Sequence, residues 1–182
     1  MNTASHTDQS ILDARAMELA RPISRRTSAE GQLAVVEFQL AHECYAIESR
    51  FVAEVFPFGD ITPLPSTPAF VVGIVNFRGR VLSVIDLKFF FQLPMKGLND
   101  RNRAIVLRSG NMEFGVLVDA MHGTRRIAQE TLQEALPTLS GIREKYLKGV
   151  TPDGVVVLDG GKLLADDALV VRDRTNKGER EP

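Results

Sequence analysis

"NFRGRVLSVIDL", residues Asn76 to Leu87, sets two arginines and a glycine between two runs of apolar residues. Together with the "FVVGIVNF" of Phe70 to Phe77 it reads as a β-hairpin whose turn is at Gly79, a residue that tolerates positive φ. Both runs are nearly continuous in Val, Ile and Leu, so both faces of both strands are expected to be buried. A hairpin with such a stem belongs inside an all-β domain, and its wet part is the turn. Arg78 and Arg80 then have two readings. They are the solvated end of a hairpin, where a surface charge contributes ~0–1 kcal/mol, or they dock a partner, because a guanidinium in a rigid turn loses little entropy on binding.

Outward from this hairpin the chain continues in short strands. "LAVVEFQLA", from Leu33, alternates, with Ala34, Val36, Phe38 and Leu40 on one face and Glu37 and Gln39 on the other. "AHE" turns the chain into "CYAI", a second hairpin. "SRFVAEVFPF" fits either a helical turn or a strand, and the three prolines of "DITPLPSTPAF" mark an extended surface connection. "RAIVLRSGNMEFGVLVDA" is a hairpin about Ser109, Gly110 and Asn111, and "KYLKGVTPDGVVVLDG" is one about Pro152, Asp153 and Gly154. "GKLLADDALVV" predicts a short closing helix with Leu163, Leu164 and Leu169 facing inward. Strands every ~8–12 residues, separated by Gly and Pro turns, predict an all-β sandwich or small barrels with short flanking helices. No internal repeat is apparent.

The ends read differently. Ser10 opens a short helix, "SILDARAMELAR", that Pro22 ends, and "SRRTSAEG" follows as a linker. The organisation expected is an N-terminal extension over 1–31, a domain over 32–170 and a polar tail over 171–182.

Composition removes several functions. The 182 residues carry 22 Lys and Arg against 23 Asp and Glu, a net charge of −1 that gives no general attraction to nucleic acid or anionic lipid. Arg125 and Arg126 form a local basic cluster, but the phenylalanines sit in apolar runs rather than between basic residues, so nucleic acid is not an expected partner. No apolar run approaches the ~18 residues of a membrane span, and no signal-peptide pattern opens the chain, so the expected location is the cytoplasm. Cys44 is the single cysteine and reads as a small core residue on a strand. His6, His42 and His122 lack metal-ligand spacing, and phosphate-loop, dinucleotide and nucleophile-elbow motifs are missing. Asp86 is the most enzyme-like acid, yet its position before "LKFFF" predicts a helix cap, and Asp119 and Asp159 read alike. No catalytic residue, cofactor or metal is expected.

The stretch "TPAFVVGIVNFRGRVLSVIDL" resembles the signature of CheW-like domains, and "FGVLVDAMHGTRRI" and "KYLKGV" are similar to later strands of that family. The likeness covers most of Gln32 to Leu169, with Phe77 where Leu is usual and Ser83 where Pro is frequent. It implies two small five-stranded barrels of the Src-homology-3 type packed on a shared core. It also implies a non-enzymatic adaptor that couples the cytoplasmic tip of a chemoreceptor to the regulatory domain of a CheA-type histidine kinase, in arrays beneath the inner membrane. A scaffold for surface motility or gene regulation is the alternative, and a small β-scaffold hydrolase a distant third. By the same resemblance Arg78 matches the turn arginine of the kinase-binding surface. Val52 and Glu54 match positions of receptor and kinase contact, against plain readings of core packing and a solvated face. Asn76 and Gly79 shape the turn, and Arg80 occupies a variable place.

Overall fold

The structure, a computed structural model, describes residues 31–95, 101–133 and 142–169. The expected N-terminal helix, nearly all of the linker and the polar tail lie outside the described residues. Two five-stranded sheets form the body. The first contains β1 (Gln32–Leu40), β2 (Glu43–Glu48), β8 (Ala120–Ala128), β9 (Leu147–Val150) and β10 (Val156–Leu158). The second contains β3 (Val52–Pro57), β4 (Val71–Phe77), β5 (Arg80–Ile85), β6 (Arg103–Ser109) and β7 (Met112–Val118). Three short helices, α1 (Leu87–Phe90), α2 (Ile142–Lys145) and α3 (Gly160–Ala165), fill corners. The ambiguous "SRFVAEVFPF" is both things in turn, a 3-10 turn over Ser49–Phe51 and then β3.

The sheets repeat one topology. Their strand orders are β8-β1-β2-β10-β9 and β3-β6-β7-β5-β4. Hairpin β1–β2 stands where β6–β7 stands, β9–β10 where β4–β5 stands, and β8 where β3 stands. Each sheet contains one parallel pairing at the matching place, β10 with β2 and β5 with β7. The chain crosses between sheets after β2 and again after β7, so the second sheet is one continuous segment, β3 to β7, while the first takes β1 and β2 from before it and β8 to β10 from after it. That crossing hides the repeat from a linear reading.

Each sheet curls until its two edges meet. In the second, the connection leaving β3 reaches β4, where Thr62 and Ile74 exchange two backbone hydrogen bonds of 2.9 Å. In the first, Gln133, beyond β8, exchanges two bonds of 2.9 Å with Val150 of β9. A glycine stands beside each seam. Gly73 has φ +148°, and a β-carbon there would overlap the Thr62 carbonyl. A β-carbon on Gly149 would lie 2.9 Å from that of Leu132 and 3.0 Å from the Gln133 oxygen.

The largest apolar cluster lies between the barrels and joins Phe38, Tyr45 and Ile47 of the first to Ile105, Leu107 and Val116 of the second. Each barrel also has its own smaller interior, around Val35, Ala46 and Val157 in one and Val75, Leu82 and Val106 in the other. This arrangement corrects three expectations. Ala34 is exposed while Leu33 and Val35 are buried, because the second face of β1 looks into a barrel interior. The stem of Phe70 to Leu87 is not buried on both faces throughout. β4 is an edge strand with one half-exposed face, and Val81, at the start of β5, is 72% exposed. Cys44 is exposed rather than core, since it sits at the end of β2, 4.0 Å from His122 Nε2.

Other expectations hold. Asp86 accepts from the Lys88 amide at 2.9 Å and Asp159 from the Lys162 amide at 3.0 Å, so each caps a helix. Leu163, Leu164 and Leu169 are buried. The seam geometry yields a test. Gly73→Ala is expected to lower unfolding free energy by about 2 kcal/mol or more, measured by urea denaturation. Gly79→Ala, at φ +78° with nothing within 4 Å of the added carbon, is expected to cost about 1 kcal/mol.

Candidate functional site: the arginine turn of the second barrel

β4 and β5 pair from Val71↔Ile85 to Phe77↔Arg80, which leaves Arg78 and Gly79 as a two-residue loop. Both have positive φ, 51° and 78°, the pattern of a type I′ turn that matches the twist of the strands it joins. Asn76 Oδ1 accepts the Gly79 amide at 3.0 Å and braces the loop. Asn76 and Gly79 thus build the turn. Gly79 takes the left-handed conformation freely, whereas Arg78 takes it at a steric cost that Asn or Gly would largely avoid.

The strained arginine is held in place from two sides. Its guanidinium meets Glu54 of β3, Nη2 to Oε1 at 2.6 Å, and lies over the Phe77 ring at 5.3 Å. Phe77 in turn stacks on Phe56 of β3 at 4.4 Å between centroids. Phe56 and Glu54 are two apart on β3, so one face of that strand supplies both the aromatic platform and the carboxylate. The ion pair and the stack bridge the two edge strands of the second barrel near its open end, a short way from the Thr62–Ile74 seam. Even so, the Arg78 side chain is 71% exposed and that of Glu54 30%. An exposed pair of this kind adds ~0–1 kcal/mol, so stability alone does not account for the strained turn residue.

Of the residues singled out in the sequence, the structure brings Arg78, Glu54, Asn76 and Gly79 together. Val52 stands apart. It is half-buried and packs against the large core between the barrels, which supports its plain reading. Arg80 pairs with Glu113 of β7 at 2.9 Å, and Glu113 also binds Arg108 at 2.5 Å. Three arginines and two glutamates therefore rim this end of the barrel. Glu113 was missed in the sequence, although the Ser109–Met112 turn sets it opposite Arg108 in the ladder. Phe56 and Phe77 were missed as a platform because their strands meet only through the seam.

The Arg125 part of the basic cluster is neutralised. Its guanidinium reaches Glu37 at 2.5 Å and Asp153 at 2.8 and 3.2 Å, which holds the Asp153 carboxyl well below the usual range. Among the described residues no group of three or more His, Cys, Asp or Glu could hold a metal, and no helix is long and apolar enough to cross a membrane.

A family model for the CheW-like domain matches residues 34–168, a span that contains the arginine turn, both seams and both barrels. The chain belongs to the CheW family. It is 30% identical over 145 residues to the chemotaxis protein CheW of Treponema pallidum, covering 76% of this chain and 85% of that protein. It is 26% identical over 139 residues to the protein PilI of Pseudomonas aeruginosa, covering 76% and 78%. The solved structure of the scaffolding protein TtCheW from Thermoanaerobacter tengcongensis superposes with a TM-score of 0.63 at 31% identity, covering 69% of this chain and 88% of that one. At the level of the family this CheW-like chain is a chemosensory scaffold protein, and the two-barrel fold expected from its sequence is the one observed.

The platform and the ion pair contribute unequally to the fold. Phe77→Ala is expected to destabilise by about 2 kcal/mol, through loss of the stack and of barrel-rim packing. Glu54→Gln is expected to change stability by less than about 1 kcal/mol. Thermal melts of the two variants against the parent check both values.

Proposed function

We propose that this CheW-like chain is a non-catalytic coupler. In this reading the domain over 32–170 joins a CheA-type histidine kinase, through that kinase's regulatory domain, to the cytoplasmic tip of a chemoreceptor. It works in the cytoplasm, within receptor arrays beneath the inner membrane. The observation that carries the reading is Arg78, an arginine in a left-handed turn position, oriented by Glu54 and Phe77 and still mostly exposed. A guanidinium fixed on two sides has already lost most of its rotamer freedom, so a partner that takes its remaining N–H groups loses little entropy. Arginines so placed are enriched among residues that dominate binding energy.

Kinase docking is assigned to the Arg78 turn, with Glu54 as part of the same surface and Asn76 and Gly79 as its frame. Receptor contact is assigned to the neighbourhood of Val52. Since Val52 also packs on the core, a charged substitution there would confuse folding with binding, and Val52→Ala is the cleaner probe.

Arg78→Asn separates turn geometry from recognition. Asn favours the left-handed conformation, so this variant should fold at least as stably as the parent. It should bind the regulatory domain of a CheA-type kinase about tenfold or more weakly, a loss of the size seen for hot-spot side chains. Titration calorimetry reads the affinity, and equal affinity of variant and parent removes Arg78 from the interface.

A further inference from the structure

A second polar cluster lies away from the arginine turn, where the barrels join. Lys88 of α1 is 1% exposed, and its ammonium is 2.5 Å from Asp119 Oδ1 and 3.7 Å from Asp86 Oδ2. Asp119, at the corner between β7 and β8, is well supplied. Besides the lysine it accepts from the Ala41 amide in the β1–β2 turn at 2.6 Å and from Asn102 Nδ2 at 3.3 Å. Asp86, at the corner between β5 and α1, accepts the Lys88 amide at 2.9 Å, while its second oxygen stands at ion-pair distance from the ammonium, beyond hydrogen-bond reach. Asp86, Asp119 and Asn102 are all buried. One ammonium thus faces two carboxylates in a place that water barely enters, and a buried charge without a full partner is costly.

We propose that Asp86 is a proton-responsive element of the barrel junction. The cluster holds one carboxylate more than its ammonium balances, and a proton on Asp86 strengthens the contact between α1 of the second barrel and the β1–β2 turn of the first. The charged groups that face Asp86 are Lys88 from α1 and Asp119 from the β7–β8 corner. Burial raises the Asp86 carboxyl above its ordinary range, with Asp119 adding to the rise, and the Lys88 ammonium and amide oppose it. The folded chain therefore holds this proton more tightly than the unfolded chain does. This group's contribution to stability falls as pH rises from the ordinary carboxyl range through the raised folded value.

The test is Asp86→Asn, which removes the charge and keeps the cap, since Asn caps helices as well as Asp does. At neutral pH the variant should be the more stable protein, with an unfolding equilibrium constant about fivefold or more below the parent's. The gap should close as pH is lowered through the parent's Asp86 titration, followed by carboxyl-carbon NMR. A variant that fails to fold, a variant no more stable than the parent at neutral pH, or a gap that does not change with pH would each overturn the proposal. None of these outcomes bears on partner binding at Arg78.

Discussion

A peptide carbonyl lying where a β-carbon would otherwise stand holds this fold closed. Thr62 crosses Gly73, and Gln133 with Leu132 crosses Gly149, so that the free edges of each five-stranded sheet exchange backbone hydrogen bonds. Open sheets of this size would expose rows of unpaired amides and carbonyls, a liability for any β protein. The two approaches work only with glycine at the crossing, and they set how far each sheet curls. The arginine turn depends on that curl. β3 and β4 lie at opposite ends of the strand order, yet Glu54 reaches Arg78 and Phe56 reaches Phe77.

Closing two barrels with one chain that passes twice between them creates a second constraint. Where β2 leaves the first barrel for β3, Glu48 is buried at the corner, paired with Arg50 at 3.0 Å and Lys148 at 3.3 Å. Where β7 leaves the second barrel for β8, Asp119 is buried at the matching corner, paired with Lys88. Each corner thus holds a buried carboxylate, and Asp119 also accepts the Ala41 amide from the β1–β2 turn. The two corner carboxylates are served by different cations. At Glu48 two partly exposed cations serve one carboxylate, whereas at Asp119 one buried lysine is shared with Asp86.

Much of this was legible in the residues, and what was not has a common cause. The hairpins at Ala41–His42, at Gly110 and at Asp153–Gly154, the caps at Asp86 and Asp159, and the inward leucines of α3 all follow from local patterns of turn residue, period and cap. The missed features need residues far apart in sequence to be neighbours. Lys88 reads as the polar residue of an apolar run, and nothing within ten positions shows that Asp119 waits for it. The partial exposure of β4 follows from its place at a sheet edge, which strand composition does not encode. The repeat of topology was invisible because the first barrel is assembled from both ends of the domain, so its equivalent strands come in a permuted chain order.

That repeat bears on which surface does the work of the scaffold. Arg78 precedes the turn glycine of β4–β5 and pairs with Glu54 on β3, and Asp153 precedes the turn glycine of β9–β10 and pairs with Arg125 on β8. Counted from the seam residues Thr62 and Gln133, Glu54 and Arg125 occupy the same place. The placement of the pair is repeated with its charges reversed, although the β9–β10 connection is longer, Thr151 to Val155, and Asp153 does not share the positive φ of Arg78. In the first barrel two guanidinium nitrogens grip the Asp153 carboxylate while a third faces Glu37, so the short turn acid is fully engaged within its own domain. In the second barrel the long side chain sits on the turn itself, spends one nitrogen on Glu54 and leaves the rest of a fixed fork in solvent. Matching strand positions therefore carry a closed ion pair in the first barrel and a presented guanidinium in the second. What separates them is the turn, tight and left-handed at Arg78 but longer at Asp153, and which partner of the pair stands on it.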